Sequence, residues 1–192
     1  PEFGLFKSQQ LNAFATGFSK NNSLVALSSG LVNHMNRDEI EAVIAHEISH
    51  ISNGDMVTMT LIQGIINTFV IFFSRVIGHI VDRVVFKVQR GHGPAYYITS
   101  IITQIILSIL ASMIVMWFSR KREYEADSSA ANLVGPSKMI SALKTLSLKS
   151  TSELPDQMAA FGISGKDKNT FKSLFSSHPP IESRIESLLK NS

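Results

Sequence analysis

The chain is organised around residues 41–50, which read EAVIAHEISH. Upstream of this stretch, Asn36 and Glu39 have the spacing of a capping box, which marks the beginning of a helix. Downstream, Asn53 and Gly54 form a helix-stop signal. Apolar residues recur at helical spacing between the two signals, so the sequence predicts one helix across the whole stretch.

Two histidines stand four residues apart on this helix, and an acid directly follows the first. His46 and His50 therefore share a helical face and can present both imidazoles to one metal ion. Glu47 lies beside that face, where its carboxylate can take a proton from a water at the metal. The alternative is two unrelated surface histidines. The apolar setting disfavours it, because a buried His-Glu-x-x-His needs a polar partner.

A third metal ligand is expected, because a catalytic zinc ion usually takes three protein ligands and a water. The chain has no cysteine, which restricts the ligands to histidine and carboxylate. Residues 120–127 read RKREYEAD, and in them Glu123 and Asp127 share a helical face while Glu125 points away. We predict Glu123 as the third ligand and Asp127 as the hydrogen-bond acceptor of a ligating histidine. The alternative is that these acids only neutralise the preceding cations on a solvated helix.

Two long apolar runs separate the histidine motif from the acidic motif. Residues 56–74 and 91–119 contain no Lys, Arg, Asp or Glu, and each is about long enough to cross a bilayer, which takes ~20 residues. In a helix formed by the second run, apolar side chains cover all sides, whereas polar residues interrupt the apolar pattern of the first run. A pair of helices buried in a soluble core is the alternative, but we expect both runs to enter a membrane.

The charge distribution excludes a nucleic-acid-binding surface. The formal net charge of +3 comes from the stretch 75–90 between the two apolar runs, because the flanking parts of the chain are neutral. Nucleic-acid binding needs a broad basic face, which this chain lacks.

Two antiparallel membrane crossings would return Glu123 to the side of His46 and His50, so the predicted hairpin is compatible with a single metal site at the membrane surface.

Four motifs occur in a characteristic order along the chain. They are NAFAT at residues 12–16, HEISH at 46–50 followed by NGD at 53–55, the Glu123/Asp127 pair, and SHPP at 177–180. In this combination the chain resembles the HtpX-type bacterial heat-shock membrane zinc metalloproteases, which are related to the CAAX prenyl proteases. The expected fold class is mainly α (α+β). It has a zincin-type metalloprotease core, a small N-terminal β-hairpin or sheet, and an inserted hydrophobic helical hairpin.

The resemblance also implies an activity and a location. It implies an endopeptidase with one zinc ion per chain, multi-pass in the bacterial inner membrane in its full-length form, with the active site facing the cytoplasm. Its expected partners are the lipid bilayer and misfolded or damaged membrane proteins. The implied zinc ligands are His46, His50 and Glu123, and the implied general base is Glu47. The resemblance further implies that His178 and Arg184 lie near the substrate and stabilise the tetrahedral intermediate.

A substrate-binding strand is expected near the N-terminus. Residues 11–16 and 23–28 read as short strands joined by a turn, and an exposed edge there can pair with an extended substrate backbone. The motif assigns this role to Asn12, Ala13, Phe14 and Ala15. By sequence alone an ordinary structural hairpin is favoured. Similarly, the alternative for His178 is a capping residue before the proline that opens a helix.

The expected organisation is a catalytic domain interrupted by the hairpin. Residues 1–55 form its N-terminal part, residues 56–119 the hydrophobic hairpin, and residues 120–192 its C-terminal part. Two other functions are possible: a membrane metal carrier or sensor, and a catalytically inactive zincin-fold binding scaffold. The ligands flank the apolar runs, whereas transport sites lie within them, which argues against the first. The intact Glu47 argues against the second.

Overall fold

The computed structural model describes residues 1–150 and 178–190. Ser177, which opens the motif at 177–180, lies outside these residues. The described elements are β1 (Glu2–Phe6), β2 (Ala13–Ser19), β3 (Asn22–Ser28), α1 (Ser29–His34), α2 (Arg37–Asn53), α3 (Asp55–Ile80), a π-helical turn (Val81–Val85), α4 (Pro94–Val134), α5 (Pro136–Ser150) and α6 (Ile181–Lys190). The mainly helical fold with a small N-terminal sheet is as predicted.

The sheet has the strand order β1-β3-β2, so both β1 and β2 are edge strands. β2 and β3 form the expected antiparallel hairpin, but β2 begins at Ala13 and continues to Ser19. Asn12 precedes the strand and is held by Ser28, whose backbone N–H donates to the Asn12 carbonyl at 2.9 Å. β1 was not predicted. β1 pairs directly with β3 in a parallel arrangement, and β2 lies between the two strands only in the sequence. A parallel pair of this kind is not joined by a tight turn, so it leaves no turn signal in the sequence.

The chain divides into two compact units. The first contains Pro1–Val57 and the described residues from Ser119 onward, and the second contains Thr58–Phe118. The core of the first unit is formed by α1, α2, α5, α6 and the end of α4. Its buried residues are Leu31, Met35, Ala42, Val43, Ala45, Ala130, Ala131, Met139, Ala142, Leu143 and Leu188.

Both ends of α2 are defined by the predicted signals. The Asn36 side chain accepts the Glu39 N–H at 2.9 Å, and the Glu39 carboxylate accepts the Asn36 N–H at 3.0 Å, which completes the capping box. At the other end, Gly54 adopts a left-handed conformation with φ 70°, and its N–H donates to the carbonyls of His50 and Ile51. Because the chain turns sharply at Gly54, Asp55 follows immediately as the first residue of α3.

Buried Glu39 also connects α2 to α5. Its second carboxylate oxygen accepts hydrogen bonds from the hydroxyls of Ser141, at 2.8 Å, and Thr145, at 2.7 Å. Burial alone would raise the pKa of Glu39, but the hydrogen bonds from Thr145, Ser141 and the Asn36 N–H outweigh it and lower that pKa. The carboxylate is therefore held ionised at the N-terminus of α2.

The second unit contains the apolar parts of α3 and α4. Both helices are long and apolar enough to cross a membrane. Side chains such as Ile65, Phe69 and Ile105 are largely exposed, which is not the pattern of core helices in a soluble protein. The two helices approach closely at Gly78, where a Cβ would collide with the Ser100 hydroxyl.

Candidate metal centre

The two histidines of α2 direct their Nε2 atoms toward the same point. The Nε2 atoms of His46 and His50 are 3.1 Å apart, and the ring planes are nearly perpendicular at 87°. His46 is buried and His50 is half-buried. The four-residue spacing therefore has the predicted effect of bringing both imidazoles to one site.

Glu123 reaches the same point from α4 and is buried. One carboxylate oxygen lies 3.5 Å from His50 Nε2 and the other lies 3.7 Å from His46 Nε2. One potential ligand atom from each of the three side chains lies within 4.8 Å of the other two. Glu125, by contrast, is exposed and faces Lys121 on the surface at 3.8 Å. The structure thus brings together the three residues predicted as ligands.

A carboxylate stands behind each histidine. Asp127 Oδ1 lies 3.0 Å from His46 Nδ1, without the alignment of a directed hydrogen bond. The Nδ1 of His50 lies 2.6 Å from Asp55 Oδ2, at hydrogen-bonding distance. A proton on His50 Nδ1 leaves the Nε2 lone pair of that ring free to face the site, so Asp55 is placed to orient this imidazole for a ligand, whereas Asp127 flanks His46 Nδ1 without a directed hydrogen bond.

The acids also change the protonation of the histidines. Burial alone would lower the pKa of His50, but Asp55 and Glu123 outweigh it and raise that pKa to about 9. The charge of Glu47, the half-buried acid that follows His46 in α2, contributes to the same rise. The pKa of His46 is raised in the same way, because Asp127 and Glu123 overcome the effect of burial.

Arg184 of α6 is locked to Asp127. Its Nε and Nη2 atoms donate to the two Asp127 oxygens, each at 2.6 Å, in a buried bidentate pair. Its Nη1 lies 3.4 Å from Glu123 Oε2. Burial would lower the pKa of Arg184, but Asp127 and Glu123 outweigh it and raise that pKa. The structure therefore brings Arg184 to the acids of the site.

His178 lies at the open side of the site. Its side chain is 67% exposed, and its Nδ1 lies 3.1 Å from Glu123 Oε2. Ala13, Phe14 and Ala15 lie on β2, which packs against α2. Among the described residues only β3 pairs with β2, so the other edge of β2 is unpaired.

Comparison with known proteins assigns the chain to a family. The model of the family described as "Peptidase family M48" matches residues 1–192. The chain belongs to peptidase family M48. It is 60% identical over 189 residues to "Protease HtpX" of Thioalkalivibrio sulfidiphilus, covering 98% of this chain and 64% of that protein. It is 62% identical over 189 residues to "Protease HtpX" of Alkalilimnicola ehrlichii, covering 98% of this chain and 63% of that protein.

A solved structure shares the fold of this chain. The crystal structure of S. mikatae Ste24p matches 96% of this chain and 44% of the Ste24p chain, with a TM-score of 0.65 and 25% sequence identity. The resemblance to HtpX-type proteases inferred from the four motifs is confirmed by the named relatives. The chain spans 63–64% of the length of the two curated relatives described above.

The donor atoms of this M48 chain fit a metal ion. Glu123 Oε2 is fully buried yet receives no directed hydrogen bond, although the nitrogens of His178 and Arg184 approach it. A tetrahedral zinc ion with Zn–N bonds of about 2.0–2.1 Å would separate two bound nitrogens by roughly 3.3 Å. The 3.1 Å between the histidine Nε2 atoms is close to that value. Two imidazoles and one carboxylate are also a known ligand set for catalytic zinc.

Two polar residues at the candidate metal centre, Asp55 and Arg122, were not predicted from the sequence. Asp55 belongs to the NGD motif, and the structure shows it to be the partner of His50. Arg122 lies 3.7 Å from the same Asp55 oxygen through its Nη1 atom. The signal for Asp55 was its position directly after the glycine that ends α2. The left-handed turn at Gly54 is followed by the contact of Asp55 with His50.

Proposed function

We propose that this chain carries the catalytic site of a zinc-dependent endopeptidase. The observation that carries the proposal is the convergence of His46, His50 and Glu123, with Glu47 beside them on the same helix. Membership of peptidase family M48 and the relatives named "Protease HtpX" support a peptidase rather than a carrier, a sensor or an inactive scaffold.

The residues divide the chemistry between them. His46, His50 and Glu123 would hold the zinc ion. The chemistry that a bound zinc ion supplies is Lewis-acid polarisation of the scissile carbonyl and a lowered pKa of water. Glu47 is the general base: it takes a proton from the attacking water and delivers it to the leaving amine. This acid is suited to proton transfer because it is half-buried beside the ligands and remains accessible.

The remaining polar residues support this chemistry. We assign to Asp127, whose Oδ1 lies 3.0 Å from His46 Nδ1, the orientation of His46, and the bidentate contact of Arg184 in turn holds Asp127. Arg184 Nη1 and the exposed His178 both lie near Glu123, at the edge of the site. We assign to them the stabilisation of negative charge that develops on the substrate. Of the two, His178 is the better placed to touch a substrate, because Arg184 is buried.

The substrate lies along β2 in this proposal. The unpaired edge of that strand offers backbone N–H and C=O groups to an extended peptide. Asn12, Ala13, Phe14 and Ala15 are the residues we assign to this contact. Backbone pairing tolerates many side chains, which suits a protease that acts on misfolded proteins.

The apolar hairpin attaches the catalytic part to a membrane. We propose that residues 1–55 and 120–192 form one catalytic domain and that residues 56–119 enter the bilayer. The exposed apolar side chains of α3 and α4 support this arrangement. Following the resemblance, the membrane is the bacterial inner membrane, the site faces the cytoplasm, and the substrates are damaged or misfolded membrane proteins.

Casein cleavage by the purified chain tests the catalytic assignment. Glu47→Gln keeps the size of the side chain but removes the base, so kcat/KM is expected to fall about 10²- to 10⁴-fold. Zinc content, measured in parallel by metal analysis, is expected to stay unchanged. A chelator is expected to abolish cleavage by the unsubstituted chain. Cleavage by Glu47→Gln at the unsubstituted rate would refute the assigned base.

A matched pair of substitutions tests the third ligand. Glu123→Ala is expected to lose most of the bound zinc, whereas Glu125→Ala keeps it, because only the first acid faces the histidines. Equal zinc content in the two variants would overturn the assignment of Glu123. Zinc binding without chelator-sensitive cleavage would favour a metal carrier or sensor, and the absence of both would favour an inactive scaffold.

A further inference from the structure

A cavity of about 250 Å³ lies between the end of β2 and the junction of α2 with α3. Residues 17–20 line it from the strand side, and Ile51, Gly54, Met56 and Val57 line it from the helix side. Two of these helix residues are neighbours in sequence of residues at the metal centre: Ile51 follows His50, and Gly54 precedes Asp55. The cavity therefore flanks the end of the helix that carries the ligands.

The cavity is suited to an apolar group. Ile51 is buried at its base, while Phe18 and Val57 stand at its rim with 74% and 43% of their surfaces exposed. A side chain at Gly54 would meet no atom within 4 Å, so the glycine contributes to the open space. Pockets for drug-sized ligands occupy roughly 300–1,000 Å³. A smaller cavity with this lining suits one large apolar side chain.

The neighbouring strand indicates where such a side chain comes from. β2 has an unpaired edge among the described residues, and an extended peptide can add to such an edge. Side chains alternate along an added strand, so every second one points to the same side. The register of β2 shifts between Gly17 and Ser19, beside the cavity. Irregularities of this kind bend a strand and redirect the side chains next to it.

We propose that this cavity receives one large apolar side chain, such as Leu, Met or Phe, of a peptide paired with β2. The cavity then sets the residue preference at one position near the scissile bond. This inference rests on the peptidase function proposed above. A lipid acyl chain is the competing occupant, because Met56 and Val57 begin the apolar helix. The strand edge favours a peptide, since an acyl chain has no hydrogen-bonding groups to offer it.

Peptide binding without turnover tests the cavity. The Glu47→Gln chain is titrated with fluorescein-labelled peptides in which a single Phe moves along an Ala/Ser sequence, and binding is followed by fluorescence anisotropy. One position of the Phe is expected to bind about 10-fold more tightly than the all-Ala/Ser peptide, the gain expected from burying a large apolar side chain. Val57→Trp fills the cavity and is expected to abolish that preference.

Matched controls separate the cavity from general surface effects. Leu61→Trp places the same bulk four residues further along α3, on a side chain that is 59% exposed, and is expected to keep the preference. Phe18→Ala removes one side of the rim and is expected to weaken it. Phe3→Ala truncates another exposed phenylalanine, on the opposite edge strand, and is expected to change nothing. Phe18→Ala also serves if Val57→Trp fails to fold.

Three results would overturn the proposal. They are equal affinity for all peptides, a preference that survives both Val57→Trp and Phe18→Ala, and binding of a fluorescent fatty acid that Val57→Trp removes while no peptide preference exists. Failure of the peptidase function is a separate result. It would show as absence of casein cleavage by the chain with Glu47 intact, whereas the binding preference is measured without cleavage.

Discussion

Replacement of Asp55 by alanine should weaken metal binding without unfolding the chain. The Nδ1 of His50 lies 2.6 Å from Asp55 Oδ2, and a proton held there leaves Nε2 free to bind a metal ion. Without the carboxylate, the ring can rotate about its bond to Cβ, and a proton can move to Nε2. The His50 ligand would then be less well oriented and less basic.

The size of the effect follows from the role of such partners in metalloproteins. Loss of an outer carboxylate or carbonyl that orients a ligating histidine typically weakens metal binding about 10- to 100-fold, or roughly 1.4–2.7 kcal/mol. Asp55→Asn should fall between Asp55→Ala and the unsubstituted chain. It keeps an oxygen that can accept the Nδ1 proton, but it removes the negative charge that strengthens this hydrogen bond.

The assay is a zinc titration against a chromophoric chelator of known affinity, performed on the purified chain in detergent. Asp38→Ala is the matched control, because Asp38 is an exposed acid in the first turn of α2 and pairs only with Lys138 among the contacts described for it. Circular dichroism confirms that each variant is folded. The reasoning would be refuted if folded Asp55→Ala bound zinc within about threefold of the Asp38→Ala control.

Two further predictions concern stability, measured as the free energy of unfolding in denaturant. Glu39→Gln should lose about 1.5–3 kcal/mol at pH 7, and exposed Glu41→Gln only about 0.5 kcal/mol or less. Because folding lowers the pKa of Glu39, the contribution of this carboxylate to the free energy of unfolding is complete above its unfolded pKa of about 4.3 and is lost as the pH falls through the lower folded pKa. A difference in stability between the unsubstituted chain and Glu39→Gln that does not change with pH would contradict this. Arg184→Ala removes the bidentate partner of the buried Asp127 carboxylate and should lose about 3–5 kcal/mol. Lys190→Ala, on the exposed face of the same helix, should stay within about 0.5 kcal/mol; similar losses in both would contradict the buried pair.

Local signals in the sequence were sufficient to predict the helix that carries the ligands. The capping box at Asn36 and the stop signal at Gly54 both concern residues within a few positions of one another, and both are confirmed. The face shared by His46 and His50 follows from the geometry of a single helix. Features of this kind require no knowledge of the rest of the fold.

Contacts between distant segments could not be predicted in the same way. β1 pairs with β3 some 22 residues along the chain, without a turn that joins them directly. Arg184 was associated with the site only through family resemblance, because its partner Asp127 lies 57 residues away. Asp55 is near in sequence, but its contact with His50 depends on the left-handed turn at Gly54. The sequence indicates that turn without giving its direction in space.

The charge balance of the site gives a physical reason why a divalent cation belongs there. Four carboxylates surround the two imidazoles, namely Glu47, Asp55, Glu123 and Asp127, and two guanidinium groups, those of Arg122 and Arg184, accompany them. With neutral imidazoles this set has a formal charge of −2, which is costly in a largely buried site. The pKa values of both histidines are raised for the same reason: the surrounding negative charge favours protonated imidazoles, and two added protons would neutralise the set. One divalent ion between the Nε2 atoms supplies that charge, leaves both imidazoles neutral as ligands must be, and gives the buried Glu123 oxygen the partner that hydrogen bonding does not provide.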